Sequence, residues 1–204
     1  MEIEKIYKKA KVYGIPVIKT ESHKLLSALV EKYKPKHVLE IGTAVGYSGI
    51  TILSSTDGDL LTIEHNEDFI KQEKKYFSKH GVNQRVKIIE GDCLVELARM
   101  VNNPEYKDYF DFIFLDGPKA QYDSMLDGLI YLLKPNGVFL ADNVLFRGYI
   151  AGSNAAPTRR YKTIIKRLNQ FIENCKNHKN LTEFELISLE DGLIFAKKVQ
   201  DEKQ

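Results

Sequence analysis

Cysteine is scarce in this chain. Cys93 and Cys175 are the only two, with no C-x-x-C spacing. Neither a disulfide framework nor a thiolate metal site is expected, and both read as packed free thiols in a reducing compartment. Long apolar runs are also missing. None approaches the roughly 20 residues that span a bilayer, and the opening M-E-I-E-K-I-Y-K-K lacks the apolar core of a secretory leader. A cytoplasmic protein is expected. One-sided charge is absent: 30 Lys and Arg against 28 Asp and Glu give a formal +2, which announces no nucleic-acid partner at the scale of the whole chain. His23, His37, His65, His80 and His178 contain no pair at zinc-ligand spacing, and most read as surface positions. There is no G-x-x-x-x-G-K followed by Ser or Thr, so a nucleotide triphosphatase is not expected. With no internal repeat or low-complexity tract, the 204 residues read as one domain, 1–204, with a short N-terminal helical extension.

What is present is an alternation. Residues 2 to 13 place Ile3, Ile6, Tyr7 and Ala10 at helical spacing, and Gly14 and Pro16 break that amphipathic helix. A second helix is predicted from about Ser22 to Tyr33, ended by Pro35. Strands follow at His37 to Ile41, Leu60 to Ile63, Val86 to Ile89, Phe112 to Leu115 and Val138 to Ala141. Between them lie a helix around Ile50 to Leu53, a polar helix capped by Asn66 and running to about Lys79, one from Cys93 to Val101, and one from Tyr122 to Leu133. Pro135-Asn136-Gly137 is expected to turn the chain into the fifth strand. Residues 143 to 157 read as a long loop, and such loops in compact domains are usually functional. Thr158 opens a further helix with Tyr161, Ile164, Ile165, Leu168, Phe171 and Ile172 on one face. Phe184 to Leu189 and Leu193 to Val199 form a hairpin through Glu190-Asp191-Gly192. The pattern predicts an α/β, Rossmann-like, mostly parallel sheet of seven strands with a C-terminal antiparallel hairpin and helices on both faces.

The organising stretch is His37 to Ile50, H-V-L-E-I-G-T-A-V-G-Y-S-G-I. A buried strand runs into Gly42-x-x-x-Gly46 and then a helix start, the nucleotide-binding corner of a doubly wound sheet. No third glycine stands at dinucleotide spacing, which weakens a pyrophosphate reading. Five successive strands end in, or are soon followed by, an acid: Glu40, Glu64, Asp92, Asp116 and Asp142. Strand C-termini share one edge of an open parallel sheet, so these charges would repel unless a cation is present. S-adenosylmethionine carries a positive sulfonium and no phosphate, which suits such an edge.

Glu64, about 20 residues beyond the glycine turn, is placed for the ribose hydroxyls. Asp92 is placed for the adenine amino group, and Glu40 for the loop or the methionine ammonium. Helix capping for Asp92 and Glu64, and a loop brace for Glu40, are the alternative readings. Asp116, Asp142 and Asn143 are all oxygen ligands, suited to Mg²⁺ or Mn²⁺. Lys119, in D-G-P-K, is a candidate catalytic base in neutral form beside a metal and a sulfonium; the alternative is an exposed turn lysine.

The motifs E-I-G-T-A-V-G-Y-S, F-L-D-G-P-K-A-Q-Y and L-A-D-N-V-L-F-R-G resemble those of the metal-dependent O-methyltransferases, which include catechol and caffeoyl-coenzyme A O-methyltransferases. The likeness runs from about Pro16 to the final hairpin. It implies that Asp116, Asp142 and Asn143 hold the metal, that Lys119 is the proposed base, and that Glu40, Gly42, Thr43, Gly46, Tyr47, Ser48, Glu64, Asp92, Cys93 and Asp116 surround S-adenosylmethionine. It also implies a homodimer. D-N-V-L-F-R-G and the tail E-D-G-L-I-F-A-K-K look most similar to the bacterial branch that methylates 5-hydroxyuridine in tRNA. The N-P-P motif, followed by Tyr or Phe, of adenine N-methyltransferases is missing after the fourth strand.

The expected reaction is methylation of a hydroxyl next to a second chelating oxygen, as in a catechol, with the N-terminal helix and the 143–157 loop as a water-excluding cover. One alternative is tRNA 5-hydroxyuridine methylation, favoured by Arg147, Arg159, Arg160, Lys162, Lys166, Arg167, Lys176 and Lys179; an ordinary solvated helix face explains the same residues. The other is a non-catalytic S-adenosylmethionine sensor, against which the intact metal set and Lys119 argue.

Overall fold

The computed structural model describes residues 2–146, 148–150 and 159–200. Its centre is a seven-stranded sheet in the order β3-β2-β1-β4-β5-β7-β6. The strands are β1 (His37–Ile41), β2 (Asp59–Glu64), β3 (Val86–Glu90), β4 (Phe110–Leu115), β5 (Leu133–Asp142), β6 (Leu181–Ile187) and β7 (Leu193–Lys198). The first five are parallel; β7 runs antiparallel to both β5 and β6. The chain leaves β1 toward β2 on one side and returns to β4 on the other, so the order reverses between β1 and β4. That reversal opens a crevice at the strand C-termini, the place where α/β sheets bind ligands.

Side chains alternate across each strand. Val38, Phe112 and Phe114 enter one core with α1 (Glu2–Val12), α2 (Thr20–Tyr33), α3 (Tyr47–Ser55) and α4 (Glu67–Lys79), through Ile6, Leu26, Ile50 and Phe77. Leu39, Ile41, Ile113 and Leu115 enter the other with α5 (Cys93–Val101), α6 (Tyr122–Leu132) and α7 (Arg159–Asn177), through Leu97, Met125, Leu129 and Phe171. Both sides of β1 are covered, so Val38 to Ile41 are all buried, Glu40 among them.

The structure departs from the sequence expectation in a few places. α3 begins directly after Gly46, a turn earlier than Ile50, because Gly46 takes the left-handed conformation (φ 83°) that starts the helix. Pro135-Asn136-Gly137 does not precede β5 but lies inside it, as a bulge: Phe110 and Phe112 pair with Leu133 and Val138. β6 begins at Leu181 rather than Phe184; its residues are half-buried or exposed, so the apolar pattern there is faint. The hairpin turn is tight, with Gly192 N donating to Leu189 O at 2.8 Å. Val144 N and Leu145 N donate to Gly192 O and Asp191 O, at 3.0 and 2.8 Å, and tie the start of the long loop to that turn. Within that loop, residues 147 and 151–157, and with them Arg147, lie outside the described residues, as does Thr158. Among the described residues, no helix is long and apolar enough to cross a membrane.

Candidate active site

The C-terminal ends of β1, β2 and β4 wall a cavity of about 400 Å³. Its base is the glycine turn. A Cβ on Gly42 would stand 2.5 Å from Asp116 O, and its φ is 91°, so only glycine lets β1 turn this closely over β4. Thr43, Tyr47 and Ser48 line the cavity beside it, whereas Gly46 lies beneath, shaping the turn against α4. Tyr47 is held by stacking on His23 (centroids 4.5 Å apart) and by a tilted contact with Tyr7 of α1 at 5.5 Å.

Glu64 lines the cavity and is 7 % exposed. Its Oε2 accepts Ala44 N at 2.9 Å, and Oε1 accepts His65 N at 2.8 Å and Asn66 N at 2.9 Å. A carboxylate offers about four lone-pair sites, so three amides leave it room for a further donor from the cavity. Asp92 is both cap and wall: Oδ1 accepts Leu94 N and Val95 N, at 2.9 and 3.2 Å, at the start of α5. Cys93, next along, donates its thiol to Gln121 Oε1 at 3.3 Å, and burial pushes that thiol up to about 11. It is a packed wall residue and not a thiolate.

Glu40 does not face the cavity. Its side chain is fully buried under the turn, where Oε2 accepts the Thr62 hydroxyl at 2.9 Å, and Thr62 is hydrogen-bonded in turn to Thr43. Burial pushes Glu40 up to about 7, against the opposing pull of Ser48 and Thr62. The sequence reading of a strand-end acid aimed at the ligand overlooked that residue 40 shares its sheet face with Val38 and Thr62.

Asp116, Lys119 and Asn143 line the cavity where it meets a second, wider depression. Lys119 Nζ donates to Asp116 Oδ1 at 2.7 Å and to Gly117 O at 3.3 Å. Burial favours a neutral amine, but the Asp116 carboxylate outweighs it and holds the lysine above its ordinary value. Left to this pair, Lys119 is therefore an ammonium, unlike the neutral base expected from sequence. Asp142 is 2 % exposed; its Oδ2 accepts Asn143 Nδ2 at 3.2 Å and its Oδ1 has no partner. Burial, and then Asp116, push Asp142 up to about 7. Asn143 adopts φ 64° at the end of β5, a conformation asparagine tolerates better than most residues. Two acids and an amide oxygen, one buried oxygen unsatisfied, fit a hard divalent cation. Among the described residues, no three His, Cys, Asp or Glu side chains are grouped closely enough to hold a metal, so Asn143 is needed to complete the set.

Several wall residues were not legible in the sequence. Pro16, Val17 and Ile18 cover the cavity, and His65, Phe69 and Gln121 complete it. The second depression, about 850 Å³, takes in Lys11, Lys19, Phe146, Glu190 and Asp191. Lys19 Nζ pairs with Asp191 at 2.8 Å, and Ser22 N donates to Glu190 Oε2 at 2.9 Å, so the hairpin turn fixes the start of α2. No local periodicity predicts such a contact.

A doubly wound sheet closed by an antiparallel hairpin, with an acid-rimmed cavity at the β1–β4 reversal, is the Rossmann-like methyltransferase fold. The profile of the O-methyltransferase family matches residues 2–199, and the chain belongs to that family. It is 28 % identical over 151 residues to caffeoyl-CoA O-methyltransferase 2 of Petunia hybrida, covering 73 % of this chain and 62 % of that protein. The matched stretch is thus under two thirds of the plant protein's length. Among solved structures, a candidate caffeoyl-CoA O-methyltransferase from Staphylococcus aureus is similar with a TM-score of 0.87 and 28 % identity, over 97 % of this chain and 92 % of that one. A Podospora anserina methyltransferase bound to S-adenosylhomocysteine gives a TM-score of 0.77 and 26 % identity, over 89 % and 80 %.

Proposed function

We propose that this protein transfers a methyl group from S-adenosylmethionine to a hydroxyl that has a second oxygen beside it, in a small catechol-like molecule, with the help of a divalent cation. The observation that carries the reading is the unpartnered Oδ1 of buried Asp142, which lies behind Asn143, a residue that lines both cavities, and within the field of Asp116. S-adenosylmethionine supplies the methyl group, and a divalent ion such as Mg²⁺ or Mn²⁺ lowers the pKa of a hydroxyl bound to it.

The chain's own residues do the rest. Glu64 and the glycine turn orient the methyl donor, and Asp116, Asp142 and Asn143 hold the cation. Lys119 Nζ is the group placed to move the acceptor's proton, and it can accept one only when Asp116's charge is engaged elsewhere. Pro16 to Ile18 cover the cavity and keep water out, which favours a reaction that annihilates opposite charges. In excess chelator, methylation of a catechol should stop while S-adenosylhomocysteine binding, read by calorimetry, persists; Mg²⁺ or Mn²⁺ should restore turnover. Undiminished turnover in chelator would overturn the metal requirement.

A second reading, methylation of 5-hydroxyuridine in tRNA, is favoured by the placement of α7. Arg167 Nη1 donates to Ala120 O at 3.0 Å, so the basic helix packs directly against the segment carrying Lys119. The exposed Lys162 and Lys166 precede it on the same helix.

A further inference from the structure

Beneath the glycine turn lies a buried acid that the reaction above does not use. Glu73 of α4 is fully buried, and neither of its carboxyl oxygens has a hydrogen-bond partner. Glu40 Oε1, reaching the same region from β1, is also buried and unpartnered. The acids acting on Glu73 are Glu40 from β1 and Glu64 from β2; Lys74, on its own helix, and the Thr43 hydroxyl, from the turn, act in the opposite sense. Lys74 extends to the surface, where it pairs with Glu90 at 2.5 Å. Glu40 in turn is flanked by Ser48, Thr62, Thr43 and Asp116.

Two ionised carboxylates cannot share a dry site without a counter-charge. One proton resolves the arrangement, because a protonated carboxyl donates where an ionised one only accepts. Glu64 does not need that proton, since three amides already satisfy it. Between the other two, burial followed by Glu40 and Glu64 pushes Glu73 up to about 9, above Glu40 at about 7. Neither carboxyl lines the cofactor cavity, so no water-filled space is there to solvate a second charge.

We propose that Glu73 is a positioning residue for the methyl donor: buried with no counter-charge, it is held as a neutral acid and so braces the glycine turn from below. The mechanical link is short. A Cβ on Gly46 would meet Glu73 Cβ at 3.1 Å, and Thr43 is joined to Glu40 through Thr62. Ionising Glu73 places a second charge beside Glu40, and the turn is the nearest element that can move away. This inference rests on reading the cavity as the S-adenosylmethionine site.

The test compares the wild-type chain with Glu73→Gln, which keeps the shape and a donor but cannot ionise. Calorimetric titration with S-adenosylhomocysteine from pH 7 to pH 10 gives a ratio of the two Kd values in which the ligand's own ionisation cancels. The ratio should be near one at pH 7, with the wild type weaker by on the order of tenfold at pH 10. A ratio that does not change with pH overturns the proposal. Melting curves without ligand give a second reading. The native state keeps a proton that the unfolded chain loses above its ordinary carboxylate pKa, so the wild type should lose melting temperature relative to Glu73→Gln from pH 5 to pH 9. Parallel curves overturn the proton assignment. If neither protein binds S-adenosylhomocysteine at pH 7, the cofactor reading fails and the positioning role fails with it, whereas diverging melts would still leave the proton on Glu73.

Discussion

Glu64 satisfies three backbone amides and still faces the cavity, so bracing and binding are one task at this residue. Glu64→Ala should weaken S-adenosylhomocysteine binding by about 1.5–3 kcal/mol, the scale of a charge-assisted hydrogen bond lost; calorimetry giving unchanged affinity would remove it from the site. Glu40 makes a different prediction. Its folded-state pKa of about 7 exceeds the ordinary carboxylate value, so the unfolded chain releases that proton first. Stability should therefore fall between roughly pH 4.5 and pH 7, by about 1.4 kcal/mol per pH unit at the steepest. Glu40→Gln should flatten that fall in denaturant titrations at several pH values. The acids themselves were legible from their strand-end positions. Their orientation was not, because which of two faces residue 40 shares with Thr62 depends on pairing with β2. Glu73 was invisible for the same reason: in a polar helix it looks like solvent-facing charge until the glycine turn is seen to rest on it.

Two helices of this fold, α4 and α5, begin where a side chain stops the strand-to-helix loop from wandering. Asn66 Oδ1 accepts Asp68 N and Phe69 N at 3.0 and 3.1 Å, and Asp92 plays the same part for α5. Asp92 also lines the cavity, and Asn66 stands behind it, its N donating to Glu64. Asn66→Ala removes the cap without touching the cavity lining, so it should cost about 1 kcal/mol of stability by denaturant unfolding and leave cofactor affinity nearly unchanged. An affinity loss as large as that of Glu64→Ala would show that the helix start itself positions the cofactor. Element identity was well signalled, since five short apolar strands alternate with helices, two of them capped by Asn66 and Asp92. Boundaries failed where tertiary pairing overrides local signals, as at the bulge of Pro135 to Gly137, which turn chemistry alone assigns to a loop.

At the scale of the molecule, a mostly parallel sheet with a closing hairpin could be expected from the alternation of elements, but the strand order and the way distant segments roof the site could not. The tRNA reading is also a matter of whole surfaces. If α7 serves it, tRNA binding should fall steeply with salt as phosphates release counterions. Replacing Lys162 and Lys166 together with Ala should make that slope shallower by about two contacts and leave catechol turnover intact. Salt-insensitive or absent tRNA binding with robust catechol turnover would decide for the small molecule. The hairpin turn carries a last consequence. The first cavity draws all its walls from residues between Pro16 and Asn143, whereas the second depression also takes in Glu190 and Asp191. During synthesis, the walls of the first cavity emerge from the ribosome before those of the second are complete. On the proposed function, the hairpin is therefore the part that completes the second depression, while the first is walled without it.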